Sequence, residues 1–365
     1  MVNATACIKV FIFFYIYKKS LIKVEKKPTI YDIAKALNIT TSTVSRALNN
    51  STLISKETKE AVWKFAKKIN YRPNKLASSL SSGKTHIIGV VIPSAQIQFF
   101  SAVINSLEQT LQKEGYNILL YQTNESYKSE ISGISTLLEA QVDGIIISPS
   151  LETYDFTHLD KAHQEGMPVI LFDRVHDTLD LPSVSIDDEK AGYMATTHLL
   201  ENGYKRIGYI STDSSIQIFK ARFEGYKKAL KEHNLPYLEE LIILDQMSIK
   251  GGMEGARKMM QLKQKPDAII GGDDFTALGI IKELSQLGVT PPKMGVIGFA
   301  NQTFSEFITP SLSTIDQQAV NMGKECANLF LKIVHKKSPK NKIEKIVLPP
   351  ILVTRDSSQP AQNKK

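Results

Sequence analysis

Two hydrophobic periods divide this chain. From residue 86 onward, short apolar runs recur between longer stretches of helical spacing. The runs are HIIGVVIP from His86, then YNILLYQT, VDGIIISPS, MPVILFDR and LPSVSIDD. After Asp187 a second set follows with RIGYIST, DAIIGGDD and MGVIGFAN. Helical stretches are predicted near Ser101–Lys113, Ala191–Asn202, Arg222–His233 and Ala277–Leu287. Buried strands alternating with helices predict parallel sheets covered on both faces. The expected core is α/β, two doubly wound parallel-sheet lobes side by side, with a ligand cleft at the carboxyl ends of the strands.

Between residues 29 and 72 the spacing is helical throughout. Ile33, Ala34 and Leu37 form one stripe, and Val44, Ala47 and Leu48 form the facing one. Helices are predicted over Ile30–Leu37 and Thr41–Leu48, joined by Asn38, an inward-pointing Ile39 and Thr40. Thr29, with Asp32 three residues on, is close to a capping box, and Thr40 caps the second helix. Ser55 caps a third helix with the stripe Val62, Phe65, Ala66 and Ile69. Ordinary core packing would make the same stripes. The outer face of the second helix, however, carries Thr41, Ser42, Ser45 and Arg46, small hydroxyls and one guanidinium suited to base edges and phosphates in a major groove. This head reads as an all-α helix-turn-helix.

The charge distribution favours that reading. The 365 residues carry a formal net charge of +8. Residues 29–84 hold ten Lys/Arg against three Asp/Glu, residues 1–28 add six Lys against Glu25, and the remainder is slightly acidic. A basic head on an ordinary body fits a nucleic-acid partner. Cys7 and Cys326 offer neither zinc spacing nor a disulfide framework, as in a reducing cytoplasm. The histidines are scattered, and neither a catalytic constellation nor a cofactor or metal motif is evident. Asp187-Asp188-Glu189 and Asp273-Asp274 read as caps or hydroxyl acceptors. The segment ACIKVFIFFYIY is shorter than the roughly 20 residues a membrane span needs. It also lacks the flanks of a signal peptide. Translation is expected to start near Leu21–Val24 at a non-AUG codon, since the next methionine is Met167; intact mass of the native protein checks this.

The pieces YDIAKALNIT, TVSRALNN, SKETKEAV and NYRPNKLASSL, in this order and spacing, resemble the head and hinge of the lactose/galactose-repressor (LacI/GalR) family. Residues 87–356 are similar to that family's core and to the periplasmic-binding-protein fold it shares. The resemblance implies an extension at 1–28, a head at 29–72, a hinge at 73–85, a core at 86–356 and a polar tail at 357–365. Within the core, lobe 1 would span about 86–185 and 318–347, and lobe 2 about 187–316 and 348–356, with crossovers near Ile186, Gln317 and Leu348.

The same resemblance implies DNA contacts from Thr29, Tyr31, Thr41, Ser42, Thr43, Ser45, Arg46, Asn49, Tyr71, Asn74, Ala77 and Leu80. Leu80 would wedge into the minor groove, and Ala77 would let paired hinges approach closely. Ligand contacts are expected from Phe99, Phe100, Asn124, Ser148, Asp173, Arg174, Arg222, Asp273, Asn301 and Gln317, with Glu125 beside Asn124. Asp273 stands where many relatives carry Asn, and Ala300 where Asp is frequent. The implied function is a cytoplasmic, homodimeric, non-enzymatic repressor of a roughly palindromic operator, controlled by a small ligand, a sugar or sugar derivative. A secreted sugar-binding protein and a sugar-processing enzyme, the latter with Asp173 and Asp273 as its only conceivable carboxylate pair, are the alternatives.

Overall fold

The computed structural model describes residues 28–71, 83–176, 179–212, 217–245, 247–335 and 343–359. Asn74, Ala77 and Leu80, nearly all of the 1–28 extension and the end of the tail lie outside the described residues. The chain divides after Gly83 into two compact units.

The first unit holds three helices, α1 (Ile30–Leu37), α2 (Thr41–Leu48) and α3 (Lys56–Lys68). The Asp32 carboxylate accepts the backbone N–H and the hydroxyl of Thr29, each at 2.7 Å. This fixes the entry to α1. Asn38 ends α1 in the left-handed region at φ 53°, a conformation its short polar side chain tolerates. The next helix starts three residues later, behind Thr40, whose hydroxyl accepts the Thr43 N–H at 3.2 Å. Ile33, Val44, Ala47 and Val62 are fully buried, and Leu37, Ile39, Leu48, Phe65 and Ile69 close the cluster around them.

In the second unit, lobe 1 contains β1 (Ile87–Ile92), β2 (Asn117–Gln122), β3 (Ile145–Ile147), β4 (Val169–Phe172), β5 (Ser183–Ile186) and β11 (Lys345–Leu348). They form one parallel sheet in the order β11-β5-β4-β3-β1-β2. Its helices are α4 (Gln98–Gln112), α5 (Tyr127–Glu139), α6 (Thr157–Gln164) and α12 (Ala319–Val334). In lobe 2, β6 (Ile207–Ser211), β7 (Ile242–Leu244), β8 (Ala268–Gly271), β9 (Gly295–Phe299), β10 (Ser313–Asp316) and β12 (Ile351–Val353) run in the order β12-β10-β9-β8-β6-β7. They are flanked by α7 (Asp188–Glu201), α8 (Gln217–Glu232), α9 (Ile249–Met260), α10 (Asp274–Gln286) and the short α11 (Phe304–Phe307). Order reversals on either side of the central strands put the strand ends of both lobes on one crevice.

One strand departs from the expected parallel arrangement. β12 pairs antiparallel with β10, Ile315 opposite Leu352. The parallel strands of lobe 2 end at the boundary between lobes. The chain re-enters lobe 2 from that boundary after β11, so it must run the opposite way. Helix starts also differ from expectation. α4, α7, α8 and α10 begin three to five residues earlier than the apolar periodicity suggests.

Candidate functional site

On the head, α2 buries Val44 and Ala47 and turns Ser42, Arg46 and the cap residue Asn49 outward, with Thr41 and Ser45 half-buried at the edges. Tyr31 is 73% exposed, high for an aromatic side chain of a folded head. Two of the expected contact residues have local duties. The Thr43 hydroxyl sits 2.9 Å from that of Thr40 within the cap, and the Thr29 hydroxyl is engaged by Asp32. Tyr71 packs part-buried against the head core, its N–H donating to Ala66 O at 2.9 Å.

The larger site is a cavity of about 340 Å³ between the lobes. Phe99 and Phe100, in the first turn of α4, meet edge to face at 5.2 Å and form its lobe 1 wall. Phe219 and Phe275 line it from lobe 2. The polar groups come from strand ends and helix starts: Glu125 after β2, Asp173 and Arg174 after β4, Arg222 on α8, Asp273 after β8, Gln302 after β9 and Gln317 after β10. Asp173 holds φ 60° and Ala300 φ 104°. Backbone in these regions costs on the order of 1–3 kcal/mol per residue and concentrates at ligand sites.

Arg222 is the centre of this arrangement. Only 3% exposed, it donates from Nε to Asp188 at 2.8 Å, stands over the Phe299 ring at 4.7 Å, and leaves Nη2 without a partner. The pair forms because α7 and α8 cross in near-contact. A Cβ on Gly192 would lie 1.9 Å from Arg222 O, and one on Gly225 would lie 2.0 Å from Glu189 O. Only glycine permits that approach. Burial pushes the Asp188 carboxyl up to about 7, with Arg222 opposing. Burial likewise raises Asp173 and Asp273 above the usual carboxylate range.

Arg174 is less available than expected. Its guanidinium grips Glu125 through two bonds of 2.7 and 2.9 Å and donates to Pro149 O at 2.9 Å. Asp273 caps α10, accepting the Thr276 N–H at 2.7 Å. Gln317 donates to Asp173 Oδ1 at 3.4 Å. Three expected ligand residues do not line the cavity. Asn124 is exposed, because the left-handed turn at Asn124 and Glu125 directs the second residue inward instead. Ser148 is fully buried. Asn301 binds Asp316 Oδ2 at 3.0 Å and receives Arg355 at 2.9 Å, lining a neighbouring cavity.

One cleft residue escapes sequence reasoning. Gln302 lines the cavity, 5% exposed, with Oε1 unpartnered; it follows the GFAN motif, and the left-handed Asn301 turns it inward. Asp274, read in the sequence as a cap or hydroxyl acceptor, does accept hydroxyls, and it is fully buried. It accepts Thr314 Oγ1 at 2.6 Å, Gln302 N at 2.7 Å and Ser305 Oγ at 2.9 Å, so it holds the crevice loop in place. Burial raises its carboxyl to about 7, and each buried donor left unsatisfied costs about 1–3 kcal/mol. Asp274→Ala is therefore expected to destabilise the core unit by more than about 3 kcal/mol, read as a lowered urea midpoint. An unchanged midpoint would remove its structural role.

A helix-turn-helix head joined to a two-lobed cleft core defines a class of ligand-responsive transcriptional regulators. Residues 29–74 match the bacterial regulatory proteins of the lacI family, and residues 85–352 match the periplasmic binding proteins and sugar binding domain of the LacI family. The chain belongs to the LacI family and is a DNA-binding transcriptional regulator. It is 32% identical to the NTD biosynthesis operon regulator NtdR of Bacillus subtilis, over 91% of this chain and 100% of that protein. The lac repressor dimer bound to operator and the anti-inducer ONPF superposes with a TM-score of 0.82 at 22% identity, covering 92% of this chain and all of that one. A LacI family regulator from Enterococcus faecium with bound ribose gives a TM-score of 0.67 at 26% identity, over 76% of this chain and 100% of that one. Among the described residues no helix is long and apolar enough to cross a membrane, and no cluster could hold a metal ion.

Proposed function

We propose that the protein is a dimeric repressor of a roughly palindromic operator, acting in the cytoplasm, whose DNA affinity is set by a sugar-class ligand closing the cleft. The observation that carries the reading is Arg222 Nη2, buried and unpartnered at a cavity shared with Asp173. Planar carboxylate, guanidinium and amide groups beside phenylalanine rings suit the hydroxyls and C–H faces of a sugar. Ribose bound to the Enterococcus regulator supports the ligand class, and the lac repressor dimer on its operator supports the assembly and the direction of control. Thr303 N–H donates to Gln98 Oε1 at 2.8 Å across the lobes, so closure of the cleft has a hydrogen bond to make or break.

The head reads DNA through the outer face of α2, Thr41, Ser42, Ser45, Arg46 and Asn49, with Tyr31 beside it. Asn74, Ala77 and Leu80 complete the interface as the family resemblance implies. Ligand that prefers one lobe arrangement changes operator affinity, and operator changes ligand affinity by the same factor.

Selection of bound sites from a random double-stranded DNA library tests the first half. A palindrome of two short half-sites is expected, and recovery of unrelated sequences would overturn it. With that operator in hand, sugars are screened for release. Asp173→Ala is expected to keep operator binding within about threefold and to lower ligand affinity at least about 30-fold, the loss of a buried charged hydrogen-bond group. Survival of the ligand response in that variant would remove Asp173 from the site.

A further inference from the structure

We propose that the effector of this cleft carries an ammonium group on its polyol frame: an amino sugar rather than a neutral or anionic one. The inference rests on the cleft being the effector site and adds the charge of its occupant.

Three carboxylates, Glu125, Asp173 and Asp273, line this crevice with the guanidiniums of Arg174 and Arg222, and Asp188 pairs with Arg222 from outside it. Each guanidinium pairs with one carboxylate, while Arg174 Nε and Arg222 Nη2 stay unpartnered. Arg174 is held by Glu125 through two bonds of 2.7 and 2.9 Å, and Arg222 by Asp188 at 2.8 Å. Among the described residues, Asp173 and Asp273 have no cation in hydrogen-bond contact. Arg174 Nε stands 4.0 Å from Asp173 Oδ2, beyond hydrogen-bond reach, and Asp173 Oδ1 receives only the long Gln317 bond of 3.4 Å. Asp273 receives a neutral N–H. A carboxylate withdrawn from water without a cation must be offset by a proton or a positive ligand.

A second observation marks the same space as a binding site. Gln302 and Arg222 are 5% and 3% exposed and both line the cavity, yet Gln302 Oε1 and Arg222 Nη2 lack partners. Gln302 Oε1 awaits a donor, while Nη2 awaits an acceptor such as a sugar hydroxyl. The phenylalanine walls add faces that attract an ammonium. A neutral sugar would fill the hydrogen bonds and leave Asp173 and Asp273 to hold protons, whereas an ammonium would pair with them as carboxylates. A sugar phosphate would set its own charge against theirs.

The test is calorimetric titration of the full chain at pH 7 with three matched pairs: glucose and glucosamine, galactose and galactosamine, mannose and mannosamine. At least one amino hexose is expected to bind tenfold or more tightly than its parent, and its N-acetyl derivative, which lacks the charge, is expected to lose the gain. In Asp273→Asn the advantage should fall below threefold. Asparagine can still cap α10, so the variant is expected to fold. Hexoses that bind as well as their amino counterparts would overturn the ammonium assignment and leave the cleft reading standing. Absence of binding by either series would overturn both.

Discussion

Arg46→Ala is expected to cost between about 30-fold and about 10⁴-fold in operator affinity. One arginine contact to a base is worth about 1–3 kcal/mol. A dimer on a palindrome forfeits it in both half-sites, and each 1.4 kcal/mol is tenfold. Arg46 lies on the exposed face of α2, clear of the buried Val44 and Ala47. Alanine also favours helix more than most residues. The weaker binding therefore reports on the DNA interface rather than on unfolding, and circular dichroism should be unchanged. Equilibrium binding at several salt concentrations then separates two roles for the guanidinium. If Arg46 touches a base, its removal relaxes sequence preference at one position of the half-site. If it touches a phosphate, its removal weakens all sequences alike and lowers the salt slope by about 0.9 per site. An affinity change below threefold would place the recognition surface elsewhere.

The head was legible in the sequence because its determinants are local. Cap, stripe and turn lie within a few residues of one another, and Thr29, Asn38 and Thr40 act in the fold as their chemistry suggests. Core strands β1–β6, β8 and β9 were legible for the same reason, being short apolar runs with punctuated ends, whereas β7, β10, β11 and β12 were not named from the sequence. The cleft was legible only in part. Phe99, Phe100, Asp173, Arg222, Asp273 and Gln317 do come together. The partner of Arg222, by contrast, depends on a helix crossing allowed by Gly192 and Gly225, which no local pattern reveals. Asn124 and Asn301 are one residue out of register with the crevice, since left-handed turns pass the inward direction to Glu125 and Gln302. A strand-end rule finds the neighbourhood of a ligand residue, and the φ of the turn decides which neighbour faces the ligand. Asp274 shows the complementary limit: its three donors come from Gln302, Ser305 and Thr314, far from it in sequence.

Arg222→Met separates what the Asp188–Arg222 pair does for the fold from what it does for the ligand. The variant leaves Asp188, 8% exposed, without the donor at 2.8 Å. Removing one partner of a buried pair costs about 3–5 kcal/mol, whereas replacing both with apolar side chains is often neutral. Arg222→Met is accordingly expected to lower the unfolding free energy of the core by about that amount, and Arg222→Met/Asp188→Leu to recover most of it. The pH dependence of the single variant has a definite sign. Burial already pushes the Asp188 carboxyl up to about 7 against the pull of Arg222, and removal of the guanidinium raises it further. A carboxyl whose folded pKa exceeds its unfolded value, about 3.9, binds protons in the folded state that the unfolded chain releases. Its contribution is most favourable in acid and is lost as pH rises from about 4 through the folded value. Relative to the double variant, Arg222→Met should therefore regain stability between pH 8 and pH 6. Neither variant is expected to respond to ligand, because Nη2 is gone from both. A single variant that melts with the wild type would show that the pair carries little of the fold. A double variant that still responds to ligand would move the effector contact away from Arg222.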